Sequence, residues 1–546
     1  MPQDAREIEW QFDALDLRLV SRWLGEPAGW SDASPVRALP RGSANHVDLY
    51  LDTDDRRFQR AGYSLRIRRP MVRSADKANA TLKALDVRRA GASAPRDRRE
   101  ISEKIAQSDP ASLLLARGPV GERVRAVAGT KPLLSLFEVR TKRRVFALEA
   151  EGVARAELVL DEAAVHPPDG APPTRLRRVE IELSTAAIPS LEPFLERLQA
   201  ACGLRPAVLS KYEAGLLAAN LGPPSPETLD VTEIAPDASL AEVAIAVLGR
   251  QFSVLLAKEP GARLGEDAEA LHDMRVAGRR LRAALSLFAD VMPEETPALR
   301  GQLGSVFRTL GAARDLDVQL EQLDEWLAEV PEPDRQPLAE LRSLLEDQRK
   351  KARTSMVTAL DSHEWEVSVA RIGRLLGGRS ARLPDPAALP ARAAAPDLLQ
   401  AQFRKLRRRG DRIGRHSDSA DFHRVRIQAK RFRYALEFFA DIYHGQTRRL
   451  VKRMIGLQDI LGQHQDAEIA IARLRRLPVD HGVELDPATI FAMGEIAERY
   501  RLKTATLRAG FPPAYAHVKK GWKSLRKLLE EERPATSDVA ASVRAE

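Results

Sequence analysis

Two stretches in the second half of the chain repeat the same order of His and Arg or Lys side chains. Residues 272–288 correspond to residues 423–439. The same offset aligns a later Leu-Gly pair and an Asp without a gap: Leu310, Gly311 and Asp315 with Leu461, Gly462 and Asp466. A match this extended predicts two copies of one helical unit.

On a helix the cationic positions of each copy share one stripe, because residues three and four apart lie on the same face. Apolar residues occupy the opposite stripe. Like charges stacked in this way repel by a few tenths of a kcal/mol per pair. We therefore expect an anionic partner to supply the missing charge. The basic stripes are His272, Arg275, Arg279 and Arg282, and His423, Arg426, Lys430 and Arg433; the apolar ones are Met274, Leu281, Leu285 and Phe288, and Val425, Phe432, Leu436 and Phe439.

The side-chain types favour a phosphate ligand. Arg presents a planar fork that binds phosphate oxygens in a bidentate manner and loses its weak hydration at little cost. A His beside phosphates can be protonated or can hydrogen-bond in its neutral form. The alternative is a solvated basic face, or one paired with Glu elsewhere. Asp315 and Asp466 are interpreted as structural, pairing an Arg or capping a helix.

Composition agrees with a polyanion partner. The net charge is +9 and the pI is about 9.6, which indicates nucleic acid, an anionic surface or another polyanion. Aromatic residues are only 5%, so base stacking on exposed rings is disfavoured. The single cysteine, Cys202, indicates a reducing compartment. No secretory signal or stretch of roughly 20 apolar residues is recognised, so cytoplasm is the expected location and a membrane is not an expected partner.

The first part of the chain alternates with period two, as strands do. Six segments show this pattern: 7–12, 63–68, 80–83, 139–148, 157–161 and 179–183. Their polar face is repeatedly Glu, Arg, Lys or Asp. A solvated outer face would alternate in the same way, but six such strands together predict a mostly antiparallel sheet or a barrel with a charged interior.

From about residue 240 the apolar period becomes helical, interrupted by a break at 383–396. We expect an α+β multidomain protein, with an N-terminal domain at 3–215, a linker at 216–235, an all-α domain at 236–533 and a disordered tail at 534–546.

The repeated His-x-x-Arg-x-x-x-Arg/Lys-Arg-x-Arg helices, each followed by Leu-Gly and an Asp, resemble the CHAD domain. That resemblance implies two helical bundles related by a pseudo-twofold, and inorganic polyphosphate bound in a basic groove between them. It assigns polyphosphate contacts to the eight stripe residues, with Arg280 and Arg431 at the edge of the stripe.

The strands resemble the CYTH, or triphosphate tunnel, domain. The similarity lies in Glu7-Ile-Glu9, Asp52-Thr53, Leu65-Arg66-Ile-Arg68, Thr81-Leu-Lys83, Glu157-x-x-x-Asp161, Glu180-Ile-Glu182 and Ser210-Lys211. It implies a closed barrel of eight antiparallel strands that acts on triphosphate compounds, most often as an inorganic triphosphatase.

Paired carboxylates suit Mg²⁺ or Mn²⁺, which polarises a phosphoryl group while nearby cations stabilise developing charge. By this resemblance the metal ligands are Glu7, Glu9, Asp161, Glu180 and Glu182. The catalytic set is Gln11, Arg66, Arg68 and Lys83, and the other tunnel residues are Arg98, Glu100, Arg143 and Lys211. The face of Arg143 is the least defined, because Arg140, Lys142 and Arg144 lie on the same strand and a one-residue slip would reverse it.

One position departs from the family pattern Glu-x-Glu-x-Lys: Gln11 stands where the lysine is expected. Loss of one transition-state contact can lower a rate on the order of 10²-fold. Three readings therefore stay open: a metal-dependent triphosphatase tethered to polyphosphate, a non-catalytic polyphosphate-binding or granule-targeting protein with a degenerate tunnel, and a nucleic-acid binder. The third is the least favoured.

Overall fold

The structure is a computed structural model of the full chain. It describes thirteen ranges: residues 3–25, 36–71, 78–85, 95–150, 153–183, 187–221, 234–293, 296–329, 335–376, 388–414, 417–443, 445–481 and 485–534. Most of the expected linker and nearly all of the expected disordered tail lie outside the described residues.

Eight antiparallel strands form a closed barrel at the N-terminus. Their order is β5-β4-β3-β2-β6-β7-β8-β1, and pairing of β1 with β5 closes it. A ninth strand, β9 (Arg205–Pro206), pairs with the end of β1. The eight are β1 Gln3–Asp13, β2 Val36–Asp52, β3 Tyr63–Pro70, β4 Ala78–Ala84, β5 Arg96–Ile105, β6 Leu134–Ala150, β7 Val153–His166 and β8 Thr174–Leu183.

The barrel has an apolar outside and a charged inside, because successive strand residues point to opposite faces. On β1, Trp10 and Phe12 are buried in a cluster with residues of the flanking helices, whereas Glu7 and Glu9 lie on the other face. The helices of this region are α1 Leu17–Gly25, α2 Arg57–Arg60, α3 Pro110–Leu115, α4 Pro119–Ala128, α5 Ile188–Cys202 and α6 Lys211–Ala218.

All six predicted strand segments lie within strands of the structure, and the eight-stranded antiparallel barrel is confirmed. Strands β2 and β5 were not among the six predicted segments. In β2 a register irregularity between Pro40 and Gly42 interrupts the alternation. The second part, Val47 to Asp52, does alternate apolar with polar residues and could have been recognised.

The rest of the described chain is helical. After α7 (Leu240–Leu264) and α8 (Ala268–Leu287), a short 3₁₀ turn (Ala289–Val291) leads into α9. Helix α12 begins inside the break expected at 383–396, which is corrected: residues 391–396 are helical despite Pro396. The remaining helices are α9 Thr296–Glu329, α10 Arg335–Leu360, α11 His363–Leu376, α12 Ala391–Gly410, α13 Ser419–Phe438, α14 Arg448–His481 and α15 Pro487–Glu531.

The two repeat copies form equivalent helix pairs, α8 with α9 and α13 with α14. The apolar stripe of each copy is buried as expected: Met274, Leu281, Leu285 and Phe288 in the first, and Val425, Phe432, Leu436 and Phe439 in the second. The basic stripe is thereby directed away from the core, since it lies on the opposite side of each helix.

The chain divides into two compact units, one of residues 1–225 with 258–267 and one of residues 226–257 with 268–546. The domain bounds given above stay a prediction. Helix α7 is, by length and composition, apolar enough to cross a membrane, and half of its most apolar stretch is buried. A buried core helix passes the same test, so this is weak evidence for a membrane span, although it corrects the expectation that no such stretch exists.

Candidate functional site

Three carboxylates meet inside the barrel, and they are called the carboxylate cluster here: Glu7, Glu9 and Glu182. One oxygen of each lies within 4.8 Å of the others. The cluster forms because Glu7 and Glu9 share the inner face of β1, and Glu9 lies directly opposite Glu182 of β8 in the strand register. Hard divalent cations bind oxygen ligands of this kind.

The electrostatics of the carboxylate cluster fit a divalent cation. Burial and the Glu9 carboxylate raise the pKa of Glu7 to about 7. Burial, Glu9 and Glu180 likewise raise the pKa of Glu182, and Glu182 has no ion-pair partner among the residues described. Bound Mg²⁺ or Mn²⁺ would offset this repulsion, and Glu7, Glu9 and Glu182 are the residues that would hold it.

Lys83 and Arg98 border the carboxylate cluster. The Lys83 ammonium forms an ion pair with Glu7, and its Nζ lies 2.9 Å from Oε1 of Glu9. Arg98 pairs with the same Glu9 oxygen. Burial alone would raise the pKa of Glu9, but Lys83 and Arg98 outweigh it and lower that pKa. Lys83, Arg98 and Glu9 therefore lie together.

Arg66 and Arg68 of β3 also line the interior of the barrel, and both contact Asp48 of β2. Arg68 donates to Asp48 from Nε at 2.7 Å and from Nη2 at 2.9 Å, and Arg66 Nη1 lies 3.7 Å away. Arg66 Nη2 also lies 3.8 Å from Glu100. Asp48 was not predicted as a site residue, because it lies on β2, which was not recognised. It is fully buried, and the two guanidiniums lower its pKa despite burial.

His46, two residues before Asp48, is a second missed residue of the interior. Its Nε2 is buried without a hydrogen bond, 3.7 Å from the Asp48 carboxylate. Burial and the Arg68 charge lower its pKa to about 3, so the ring is neutral at ordinary pH.

Arg143 and Lys211 also line the interior of the barrel. Arg143 therefore lies on the inner face of β6. Arg143 lies opposite Asp161 and holds it with two hydrogen bonds of 2.8 and 2.7 Å, and its Nη2 donates to Glu180 at 3.1 Å. Lys142 and Arg144 are exposed. Lys211, placed by the Ser210 capping box that begins α6, pairs with Asp161 and lies 3.0 Å from Glu180.

The predicted metal ligands thus fall into two groups. Glu7, Glu9 and Glu182 form the carboxylate cluster, whereas Asp161 and Glu180 are engaged by Arg143 and Lys211. The assignment of Asp161 and Glu180 as metal ligands stays a prediction.

Gln11 lies on the inner face of β1, opposite Glu180 in the strand register. Its Nε2 is 3.4 Å from Oε1 of Glu180, and its own Oε1 is buried without a hydrogen bond. The Lys211 ammonium reaches the same Glu180 oxygen. A positive charge is therefore present beside position 11, although Gln11 itself supplies none.

In the helical unit, Arg275 and Arg426 occupy equivalent positions and make equivalent contacts. Arg275 donates from Nη1 to the Gly311 carbonyl at 2.7 Å and lies 3.3 Å from Asp315. Arg426 lies 3.8 Å from Asp466. The structural interpretation of both Asp residues, as partners of an Arg, agrees with this geometry.

The two basic stripes, called the paired stripes below, approach each other where α8 packs against α13. Arg279 of the first stripe is close enough to Arg426 and Lys430 of the second to lower the pKa of both. Burial and these neighbours lower the pKa of Lys430 to about 7. Arg279 and Lys430 have no ion-pair partner in the described parts of the chain.

The two His residues lie at the start of each stripe. His423 Nδ1 is 2.7 Å from Oε1 of Gln465. At the equivalent place beside His272 stands Arg314, and burial together with that guanidinium lowers the pKa of His272. The His272 ring is therefore neutral at ordinary pH and available as a hydrogen-bonding group.

Both parts of the chain are similar to known protein families. Residues 31–214 match the CYTH domain and residues 246–475 match the CHAD domain. The CHAD domain from the plant Ricinus communis is 30% identical, covering 55% of this chain and 96% of its own, with a TM-score of 0.44.

Two further solved structures are similar to parts of the chain. PptA from Streptomyces chartreusis is 20% identical over 51% of this chain and 100% of its own, with a TM-score of 0.41. HpAC1 from Hippeastrum, described with a dominant triphosphatase activity, is 18% identical over 40% of this chain and 99% of its own, with a TM-score of 0.30. No curated protein sequence matches the chain.

Proposed function

Because the chain belongs to the proteins in which a CYTH domain is followed by a CHAD domain, we propose that it is a metal-dependent inorganic triphosphatase whose helical domain binds polyphosphate. The observation that carries the proposal is the barrel interior. A carboxylate cluster suited to Mg²⁺ or Mn²⁺ lies beside Lys83 and Arg98, and further cations line the same closed barrel.

In the barrel, the acidic residues are proposed to bind metal and the basic residues to bind phosphate. Glu7, Glu9 and Glu182 would hold the metal, which supplies Lewis-acid polarisation of a phosphoryl group and a more acidic bound water. Lys83 and Arg98 neutralise Glu9 in the free protein, and are positioned to bind phosphate oxygens once a cation satisfies the carboxylates. Arg66 and Arg68 extend this cationic surface along β3.

Gln11 decides between catalysis and binding alone. The ammonium of Lys211 already lies at the Glu180 oxygen that Gln11 contacts, so the tunnel retains a cation there. This arrangement supports an active enzyme of reduced rate. The alternative is a tunnel that binds triphosphate without turnover, in a protein that serves to localise on polyphosphate granules in the cytoplasm.

The test is phosphate release from tripolyphosphate by the full chain with Mg²⁺ or Mn²⁺. We expect turnover that Glu7→Gln abolishes and Gln11→Lys raises, on the order of 10²-fold at most. Glu162→Gln is the matched control, because Glu162 is an exposed glutamate on the outer face of β7. Absence of turnover in the natural chain, with turnover restored by Gln11→Lys, would establish the binding-only alternative.

Polyphosphate binding by the paired stripes is tested separately, by equilibrium binding of the full chain to long-chain polyphosphate. Duplex DNA at equal phosphate concentration serves as competitor, because both polymers release counterions and show similar salt dependence. Displacement of polyphosphate by DNA would favour the nucleic-acid reading instead.

A further inference from the structure

The two repeat copies differ at one end of the paired stripes, where Arg282 and Arg433 lie. In the second copy, the carboxylate of Glu437 balances the positive charge at this end. Glu437 accepts a hydrogen bond from Arg280 at 2.7 Å and lies 3.6 Å from Arg433. Both guanidiniums also lie over the Tyr434 ring, at 5.5 and 5.2 Å from its centre.

The equivalent end of the first copy has no acid. By the offset of the repeat, Ser286 replaces Glu437 and Ala283 replaces Tyr434. Arg300 of α9 donates to the Ser286 hydroxyl at 3.0 Å. Burial lowers the pKa of Arg282, and the charges of Arg300, Arg308 and Arg431 lower it further.

These four arginines form what is called the arginine cluster here: Arg282, Arg300, Arg308 and Arg431. None of them has an ion-pair partner among the residues that the structure describes. Arg300, Arg308 and Arg431 are exposed. Exposed cations held close together attract an anion, because they repel one another.

Helix α9 supplies two of the four arginines and a glycine beside a third. Arg300, Gly304 and Arg308 are spaced by four residues and so lie on one face. The Arg282 guanidinium crosses that face at Gly304, where an added Cβ would lie only 3.1 Å from its Nη2. In the second copy the corresponding residues are Val451, Ile455 and Asp459, which supply an acid and no cation.

We propose that the arginine cluster is a further binding site for a linear inorganic phosphate polymer. A polymer bound to the paired stripes then continues past Arg300 and Arg308. It does not continue past the other end, where the carboxylates of Glu437 and Asp459 repel phosphate. The inference rests on the proposed polyphosphate binding. It adds two polymer-binding residues, Arg300 and Arg308, that have no cationic counterpart in the second copy. It also means that the bound polymer extends from the paired stripes at one end only.

The experiment compares full-length variants by equilibrium binding to long-chain polyphosphate and to tripolyphosphate. Arg300→Gln with Arg308→Gln should weaken binding of the long polymer about five-fold, as for two exposed ion pairs. Its salt dependence should also decrease. Affinity for tripolyphosphate, the ligand proposed for the barrel, should stay unchanged, because both substitutions lie outside the barrel.

The matched control is Lys520→Gln with Lys523→Gln, two exposed cations on α15 that have no ion-pair partner in the described chain. It should leave affinity for both ligands unchanged. Equal affinities of the arginine variant and this control would overturn the inference while polyphosphate binding itself stands. Failure of the natural chain to bind polyphosphate would overturn both proposals.

Adding arginines to the second copy tests whether the bound polymer extends from one end only. Val451→Arg with Asp459→Arg places the first copy's pattern on the second, and we expect tighter binding of the long polymer than in the natural chain. No gain, with the fold preserved by circular dichroism, would show that the two ends are equivalent and that the exit is not one-sided. Preferential loss of duplex DNA rather than polyphosphate binding in the Arg300/Arg308 variant would also contradict the assignment.

Discussion

The Arg143 guanidinium holds the Asp161 carboxylate in a bidentate pair, from Nε to Oδ1 at 2.8 Å and from Nη2 to Oδ2 at 2.7 Å. Asp161 is fully buried and also pairs with Lys211. Removing one partner of a buried ion pair leaves uncompensated charge, which is strongly destabilising. The pair therefore links β6 to β7 inside the barrel.

We predict that Asp161→Asn destabilises the barrel by about 3 kcal/mol, the low end for a broken buried pair because Glu180 still faces both cations. Hydrogen exchange of the β6 and β7 amides reports this opening free energy. Glu162→Gln, on the exposed face of the same strand, should change it by no more than about 0.5 kcal/mol. Unchanged protection in Asp161→Asn would show that the pair contributes nothing to stability.

Glu182 should behave in the opposite way. It is partly buried, has no ion-pair partner among the described residues, and has a raised pKa through burial and its neighbours Glu9 and Glu180. Glu182→Gln should therefore stabilise the metal-free protein, by roughly 0.5–2 kcal/mol, and weaken Mn²⁺ binding.

Calorimetry without metal and titration with Mn²⁺ followed by electron paramagnetic resonance measure the two effects of Glu182→Gln. Stabilisation without any change in Mn²⁺ affinity would remove Glu182 from the metal site.

Arg279 and Lys430, at equivalent positions of the paired stripes, should carry a large share of polyphosphate affinity. Neither has an ion-pair partner in the described structure, so removing them costs no internal contact. With charge-assisted hydrogen bonds of about 1.5–3 kcal/mol each, Arg279→Gln with Lys430→Gln should lower affinity at least about 100-fold.

Thermal stability of that double variant should be equal or higher, because two repelling cations are removed. Arg275→Gln is the informative comparison: it breaks the bonds to the Gly311 carbonyl and Asp315, so it should lose stability as well as affinity. A double variant that binds like the natural protein would refute the assignment of the stripes.

Polyphosphate binding should take up a proton at Lys430. Burial and the charges of Arg426 and Arg279, only partly offset by Asp466, lower its pKa to about 7, so at pH 8 the free side chain is mostly neutral. Phosphates beside it favour the charged form. Uptake should approach about one proton at pH 8 and vanish below pH 6, where Lys430 is already protonated.

Calorimetry in buffers of different ionisation enthalpy measures that uptake. Lys430→Arg should abolish it, because a guanidinium stays protonated throughout, whereas His272→Asn should leave most of it. Uptake that persists in Lys430→Arg would place the titrating group elsewhere. The same lowered pKa means that the unfolding free energy contributed by Lys430 rises with pH between about 7 and 10.5.

The sequence predicted most of this architecture because its strongest patterns are local. Helical periodicity and a gap-free repeat located α8 and α13 and their two faces without any knowledge of packing. Cross-strand relationships were different: that Glu9 faces Glu182, or that Arg143 faces Asp161, depends on strand register. Asp48 was missed together with β2, whose first part is interrupted between Pro40 and Gly42, although the alternation from Val47 to Asp52 could have revealed it. The contrast between Ser286 and Glu437 is visible in the aligned repeats, but its meaning requires knowing that Arg280 reaches across from α8.

The position of Gln11 has an evolutionary consequence. Its backbone is fixed on one side by the register with Glu180 and on the other by a hydrogen bond from the Ala207 amide to the Gln11 carbonyl, so a new side chain here changes the charge of the interior without moving the strand. Codons for Gln and Lys differ only in their first base. One nucleotide change can therefore exchange Gln and Lys at position 11, and so add or remove a positive charge in the interior, while the strands and the carboxylate cluster stay the same.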